Sequence, residues 1–442
     1  MEMPVSVKTS LEALSNVHSV LRRCSTFTLV LGTLFGSVSS TASIVILTVY
    51  VYASYDSSPY AVSALFVIGF LPNLLIAPLA SALTERRNPR ITLGLLGIIR
   101  SIVILLPAVG VGGYWYFAIA FSITATNSVS KPCRYALAPL LASGRHLVAL
   151  NSLFMVMTTI AGVVSGNVVR MADILGGSLL FVILTLVSAM GAGFDAACVH
   201  SSFVHSASTS NLSTEKMALS TDIEKCVNEV YNSTIKSNEY GLWKRLQAGR
   251  YFILNTPPLF GLTISTFLLW VCLGVQEPLL IVFVDKVMHA SHATYGYMIS
   301  VGSLGGVFGA LFSVMVGESV SRAINSFSCG MLLAGASFLV FAVSGDNRML
   351  AFVSFFVFSI SYGVSNVFDE YLEQELSPAG LRSTVISIIG AIGTLGYLLG
   401  TLSSGYGSNG LGPRNIFIGI GILLISAGTY STFKMPIREA RV

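Results

Sequence analysis

Twelve stretches of this chain are almost continuously apolar for more than twenty residues each, and that length decides what they can become. They cover 27–52, 60–83, 91–112, 114–137, 147–169, 174–199, 257–284, 293–316, 324–344, 349–372, 384–406 and 413–433. A helix needs roughly 20 such residues, rising about 1.5 Å each, to cross a hydrocarbon layer about 30 Å thick. In lipid the backbone N–H and C=O groups must be bonded within the protein, so a segment this long is a helix. Barrel strands would be about half as long and would alternate apolar with polar. Six stretches precede a hydrophilic bridge at 200–250 and six follow it. The pattern predicts an all-α membrane protein of twelve transmembrane helices in two pseudo-symmetric six-helix bundles. The expected division is a cytoplasmic N-terminal segment 1–25, a first bundle 26–199, a cytoplasmic linker 200–250, a second bundle 251–434 and a cytoplasmic tail 435–442.

The supply of charge agrees with lipid as the solvent. Hydrophobic residues make up 53% of the chain and Asp, Glu, Lys and Arg only 10%, against about 25% charged in an ordinary soluble domain. The net charge of +5 is not gathered into a stripe, so no nucleic-acid partner is expected. Six cysteines are scattered without a CxxC, and His289 and His292 lack an acidic neighbour, so neither a metal nor a cofactor is expected. Residues 1–25 lack the apolar core of a cleavable signal, which leaves the first span to direct insertion. No HExxH and no GxSxG at a strand–helix turn occurs, which argues against an enzyme. A Walker A loop is also missing, for the chain contains no Gly-Lys pair; ATP hydrolysis by this chain is excluded.

Orientation follows from the basic residues. With both termini in the cytoplasm, twenty of the 25 Lys and Arg fall in inner segments, four in outer loops, and Arg100 lies within a span. That bias is the positive-inside signature, and a plasma (inner) membrane is the expected site. It also places the sequons at Asn211 and Asn232 on the side where glycosylation does not occur. Within the bridge, Met217, Ile223, Val227 and Val230 recur at helical spacing, and an amphipathic piece from Tyr240 to Leu246 leads into the seventh span. Short helices lying along the inner face and a plain tether both fit that segment.

The halves resemble each other. A shift of 232 residues lays Arg90, after the second span, on Arg322, after the eighth; the exits of spans four and ten match at a shift of about 235, each through a Pro-containing loop with an Arg. Small residues four apart, which let helix backbones touch in lipid, recur as Gly162 with Gly166, Gly302 with Gly306, and Gly396 with Gly400. These glycines are expected at the interface between the bundles.

At this point the chain resembles the major facilitator superfamily. Ser81, Glu85, Arg86 and Arg90 follow the family's loop two–three motif in worn form. Arg134-Tyr-Ala-Leu-Ala-Pro139, continuing to Asn151 and Ser152, looks like the span four–five passage of the drug, macrolide and siderophore exporters, and Leu376 to Arg382 looks like its second-half counterpart. The exporter signature of span five is only partly met, because Asn167 stands where the family has Pro. The resemblance implies a major facilitator fold and a cytoplasmic gate built from Glu85, Arg86, Arg90, Arg134, Asp195, Glu318, Arg322, Asp369, Glu370 and Arg382.

Ionisable groups within spans are costly and need a reason. Arg100 sits midway along the third span, and Glu277 follows Gln276 and precedes Pro278 in the seventh. An Arg facing a central cavity would hold an anionic group; a structural clamp is the other reading. A Glu there, shielded from water, could take up and release a proton, whereas near the membrane surface it would only snorkel. Asn73, Asn127, Tyr362 and Asn366 offer further hydrogen bonds at the midplane. The expectation is a monomeric secondary active transporter moving a small amphipathic molecule by alternating access, with protons as coupling ion and efflux by antiport. Proton-coupled uptake of a metabolite or siderophore is the alternative, and a channel or receptor a remote one.

Overall fold

The computed structural model describes residues 24–76, 89–141, 145–200, 242–316, 320–345, 347–378 and 381–434. The described residues are helical nearly throughout. The first group comprises α1 (Cys24–Ser54), α2 (Pro59–Leu75), α3 (Pro89–Leu105), α4 (Trp115–Leu141), α5 (Arg145–Gly166), α6 (Val168–Leu175) and α7 (Gly177–His200). The second comprises α8 (Leu242–Asn255), α9 (Pro257–Lys286), α10 (His292–Val316), α11 (Val320–Val343), α12 (Arg348–Glu375), α13 (Arg382–Leu411) and α14 (Pro413–Lys434). Proline opens α2, α3, α9 and α14, where its missing N–H costs nothing. Positive-φ Gly110, Gly176 and Gly412 turn the chain between neighbours.

Each of the twelve apolar stretches overlaps one of these helices, the second running on past the described residues at 76. The fifth ends earlier than its apolar run suggested: the helix breaks at Asn167, and α6 continues separately. α8 occupies the amphipathic piece before the seventh stretch, whereas 201–241, with the other expected linker helix, lies outside the described residues. Among the described residues, nine helices (α1, α3, α7 and α9–α14) are long and apolar enough to cross a membrane; α2 and part of α5 are apolar but shorter.

Lipid inverts the usual distribution of polarity. On α3, Ile91, Leu95, Ile98, Ile102 and Leu105 form an exposed apolar stripe, while Leu93, Arg100 and Ile104 are buried on the opposite side. α3 also packs tightly on α7, where a Cβ at Gly97 would press into Ala192. The second group is centred on aromatic rings that join α9, α11, α12 and α14. Phe338 and Phe358 lie 4.5 Å apart, Phe283 and Phe341 4.7 Å, and Phe283 and Phe417 5.0 Å.

Within the first group α1 packs on α5 and α7, α3 on α4 and α7, and α2 on α4. Within the second, α9 packs on α13 and α14, α11 on α12 and α14, and α10 on α12. The groups meet along two seams, α5 with α10 and α2 with α13. In the first seam Gly166 faces Gly296 and Ser300, and Gly162 faces Ser303. In the second, the Ser63 and Ser404 hydroxyls lie 2.9 Å apart and Tyr60 meets Tyr406 edge-on.

The other four glycines expected between the bundles lie elsewhere. Gly302 turns to Phe355 and Ser359 of α12; Gly306 meets α12 through Gly363. Gly396 and Gly400 press on Phe267 and Val271 of α9. Spacing marks a helix face where backbones can approach, but the neighbour on that face is set by packing. At Gly166 a side chain would collide with the Gly296 carbonyl, so Gly166→Ala is expected to overpack that seam and cost about 1–3 kcal/mol, read as a lower melting temperature in detergent.

Candidate functional site

Between the two groups lies a cavity of about 200 Å³. Ile44 of α1, Leu65, Phe66, Gly69, Phe70 and Asn73 of α2, and Ala120 and Thr124 of α4 line one wall; Glu277 of α9 and Tyr397 of α13 line the other. Glu277 is the charged side chain among these lining residues. Pro278 lies within α9, which continues to Lys286, so the proline does not end the helix. The Tyr397 hydroxyl donates to Glu277 Oε2, and its ring stacks on Phe70 with centroids 4.0 Å apart. Trp270 stands edge-on to both rings, at 6.2 Å from Phe70 and 6.4 Å from Tyr397. α13 can bring Tyr397 this close because Gly274 leaves no side chain against the Tyr397 carbonyl. Asn73 reaches the cavity while its Oδ1 accepts from Ser128 at 2.6 Å.

Arg100 does not line this cavity. It is buried within the first group, where Nε donates to Ser188 Oγ at 3.1 Å and Nη1 to Asn127 Oδ1 at 3.4 Å. Asn127 also accepts from Ser40 at 3.2 Å, so it serves this network and not the cavity wall. Two turns further along α4 and α7, Arg134 Nη2 meets Asp195 Oδ2 at 3.5 Å. The Gly32 and Gly36 pair of α1 makes room for these charges: a Cβ at Gly32 would strike the Asp195 carboxylate, and one at Gly36 the Arg100 guanidinium. Arg100 Nη2, Arg134 Nε and Asp195 Oδ1 are buried without a hydrogen-bond partner among the described residues. The pairing of Arg100 and Glu277 across one central site, suggested by their spans alone, is therefore replaced by two separate places.

The remaining expected residues divide. Gln276 is buried beside Glu277. Tyr362 donates to Asn366 at 3.5 Å within α12 and is not among the residues that line the cavity. Asp369 is buried and accepts from Thr266 of α9 at 2.6 Å; Glu370 and Arg322 are exposed. Arg90 and Arg382 stand in the first turns of α3 and α13. Glu85, Arg86 and Glu318 lie outside the described residues. Tyr397, Phe70 and Trp270 were not singled out from the sequence. Tyr397 lies between Gly396 and Gly400, but an aromatic residue in a span reads equally as core.

Contacts across the groups gather at the end reached by the C-termini of α1, α9 and α13. There Tyr52 donates to Asp285 at 2.7 Å, Ser300 to the Val163 carbonyl at 2.8 Å, and Arg170 to Tyr297 at 3.1 Å. At the opposite end the described polar contacts Arg134–Asp195 and Thr266–Asp369 stay within one group. Tyr52→Phe should remove a hydrogen bond to a carboxylate, a net contribution of about 1.5–3 kcal/mol. The expected result is faster labelling of a Thr124→Cys reporter by a maleimide reagent added from the Tyr52 side.

No curated protein matches the chain in sequence. Its fold is similar to that of a POT family transporter in complex with a thioalcohol conjugated peptide (TM-score 0.69, 16% identity, covering 91% of this chain and 94% of that one). It is also similar to a bacterial homolog of the human lysosomal transporter Spinster, in an inward-facing and unoccupied conformation (0.67, 12%, 93% and 97%). A third likeness is to the nucleoside transporter NupG (0.65, 14%, 92% and 100%). The profile of one family matches residues 29–401, with a second match over 262–441. That match spans most of a multi-pass helical chain, so the chain belongs to the Major Facilitator Superfamily and is a membrane transporter rather than an enzyme.

Proposed function

We propose that this transporter is a proton-coupled antiporter that moves a small amphipathic molecule outward by alternating access. Glu277 carries the reading: a carboxylate at the seam between two helix groups, reached from a cavity and bonded to a hydroxyl on a neighbouring helix. A group so placed can hold a proton in one state and release it in another as its surroundings change. The similar structures include a POT family transporter with a bound peptide conjugate and a nucleoside transporter, which keeps proton-coupled uptake as the second reading.

On this reading the chain has twelve spans in two pseudo-symmetric bundles, 26–199 and 251–434, joined by a linker at 200–250. The packing supports it. α1 with α5, α1 with α7, α2 with α4, α3 with α4 and α3 with α7 recur as α9 with α13, α9 with α14, α10 with α12, α11 with α12 and α11 with α14. With both termini in the cytoplasm of a plasma-membrane protein, the end bearing Tyr52 and Asp285 faces outward, and the molecule is closed on that side. Arg134, Asp195, Asp369 and the other inner-end charges then form the opposite gate, and Gly162 and Gly166 form part of the sliding contact. The working unit is the monomer.

The direction of transport is tested by compound accumulation in cells with and without the protein, repeated after the proton gradient is collapsed. Export predicts lower accumulation with the protein and loss of that difference without the gradient. Higher, gradient-dependent accumulation would establish uptake instead.

A further inference from the structure

We infer that the cavity takes a small organic cation, one aromatic ring or short apolar body bearing a single protonated amine. The inference rests on the transport reading and names its substrate class. Three observations converge. First, Glu277 supplies the charge among the described lining residues, and no basic lining residue stands opposite it to neutralise a carboxylate or phosphate on the ligand. Arg100, which could have done so, is enclosed by Ser188, Asn127 and Gly36 inside the first group. Second, Phe66, Phe70 and Tyr397 line the space next to that carboxylate, with Trp270 behind two of them. The face of each stacked ring that is turned from its partner attracts a desolvated cation, and the rings together pack an apolar body. Third, about 200 Å³ lies below the roughly 300–1,000 Å³ of drug-sized ligand sites, so the occupant is small.

Glu277 Oε2 is taken by the Tyr397 hydroxyl, which leaves Oε1 for the ligand's N–H or for a proton. One monovalent cation entering as one proton leaves keeps the net charge of the site constant, so the two compete for one group. Among the described residues, the other titratable groups that feel the charge of Glu277 are phenols: Tyr397 of α13, Tyr295 of α10 and Tyr362 of α12. Phenols add no charge between pH 5 and 8, so they do not blur that competition.

The experiment is ligand binding to purified full-length protein, read by Trp270 fluorescence after Trp115→Phe and Trp243→Phe. The probes are 2-phenylethylammonium, 2-phenylethanol and 3-phenylpropionate, which share a ring and differ in charge. The cation is expected to bind saturably. Its affinity should fall about tenfold or more from pH 8 to pH 5.5, and by a similar factor at pH 8 on Glu277→Gln, while the alcohol and the acid bind about tenfold more weakly than the cation. Saturable binding of the acid or alcohol as tight as that of the cation overturns the inference, as does the lack of saturable cation binding. The probe series needs only the unaltered site, so it decides even if Glu277→Gln does not fold; Glu277→Asp, which keeps the charge, should then retain the preference for the cation. Cation binding without flux in proteoliposomes would refute the transport reading and leave the site standing. Proton-coupled flux of an anion would do the reverse.

Discussion

Replacing Glu277 by Gln is expected to reduce proton-driven flux to background while the protein remains inserted and monodisperse. Gln fills nearly the same volume and can still accept from Tyr397, so the helix contacts of α9 and α13 survive. What disappears is the exchangeable proton. A Gln mimics the protonated state permanently, so substrate movement can no longer be tied to proton release. The measurement is uptake into proteoliposomes with an imposed pH gradient, alongside counterflow without one. Loss of gradient-driven uptake with counterflow retained is the expected pair of results. Equal gradient-driven uptake by Glu277→Gln and the unaltered protein would remove this carboxylate from the coupling step. Tyr397→Phe makes a useful companion, because it deletes the hydroxyl and spares the charge; coupling should persist in that variant.

Arg100→Ala is expected to act on stability before it acts on transport. Truncation removes the Arg100 hydrogen bonds to Ser188 and Asn127 and opens a void under Gly36. Each of these hydrogen bonds from a charged donor makes a net contribution of about 1.5–3 kcal/mol. Thermal unfolding in detergent should register that loss, while ligand affinity in the cavity changes by less than about threefold, as for sites that share no partner. Arg100→Lys should not restore stability, since a single ammonium cannot hold two acceptors in the guanidinium's fixed geometry. Unchanged melting with abolished transport would return Arg100 to the transport pathway. Of the two readings its position in the sequence allowed, the burial and partners of Arg100 support the clamp over the holding of an anionic group.

Arg100 and Glu277 show why part of the site was legible and part was not. Each stood out because a charge in a long apolar run is expensive enough to demand an explanation. The sequence could not say which way each pointed. On α3, Arg100 points inward, while Ile98 and Ile102 a few positions away face lipid, and only the neighbours on α1, α4 and α7 reveal that the inward face is a closed interior. Tyr397 and Phe70 were illegible for a different reason. Aromatic side chains fill cores and line cavities alike, and their significance lies in a 4.0 Å stack across a seam between residues 327 positions apart. The glycine pairs fall between these cases: close approach was readable from spacing, yet Gly32 and Gly36 seat side-chain charges, Gly396 and Gly400 seat α9, and Gly162 and Gly166 alone of the expected six face the other group across the seam.

Run length and apolar content were enough to determine that this chain crosses a membrane as helices, because lipid leaves the backbone no other way to satisfy its hydrogen bonds. The positions of rare charges marked where a reason had to be sought. Which helices touch, which charges share a chamber and which are walled apart were decided only by tertiary packing. Those relations depend on contacts between residues distant in the chain, and a one-dimensional pattern does not encode the rotation of one helix against the next.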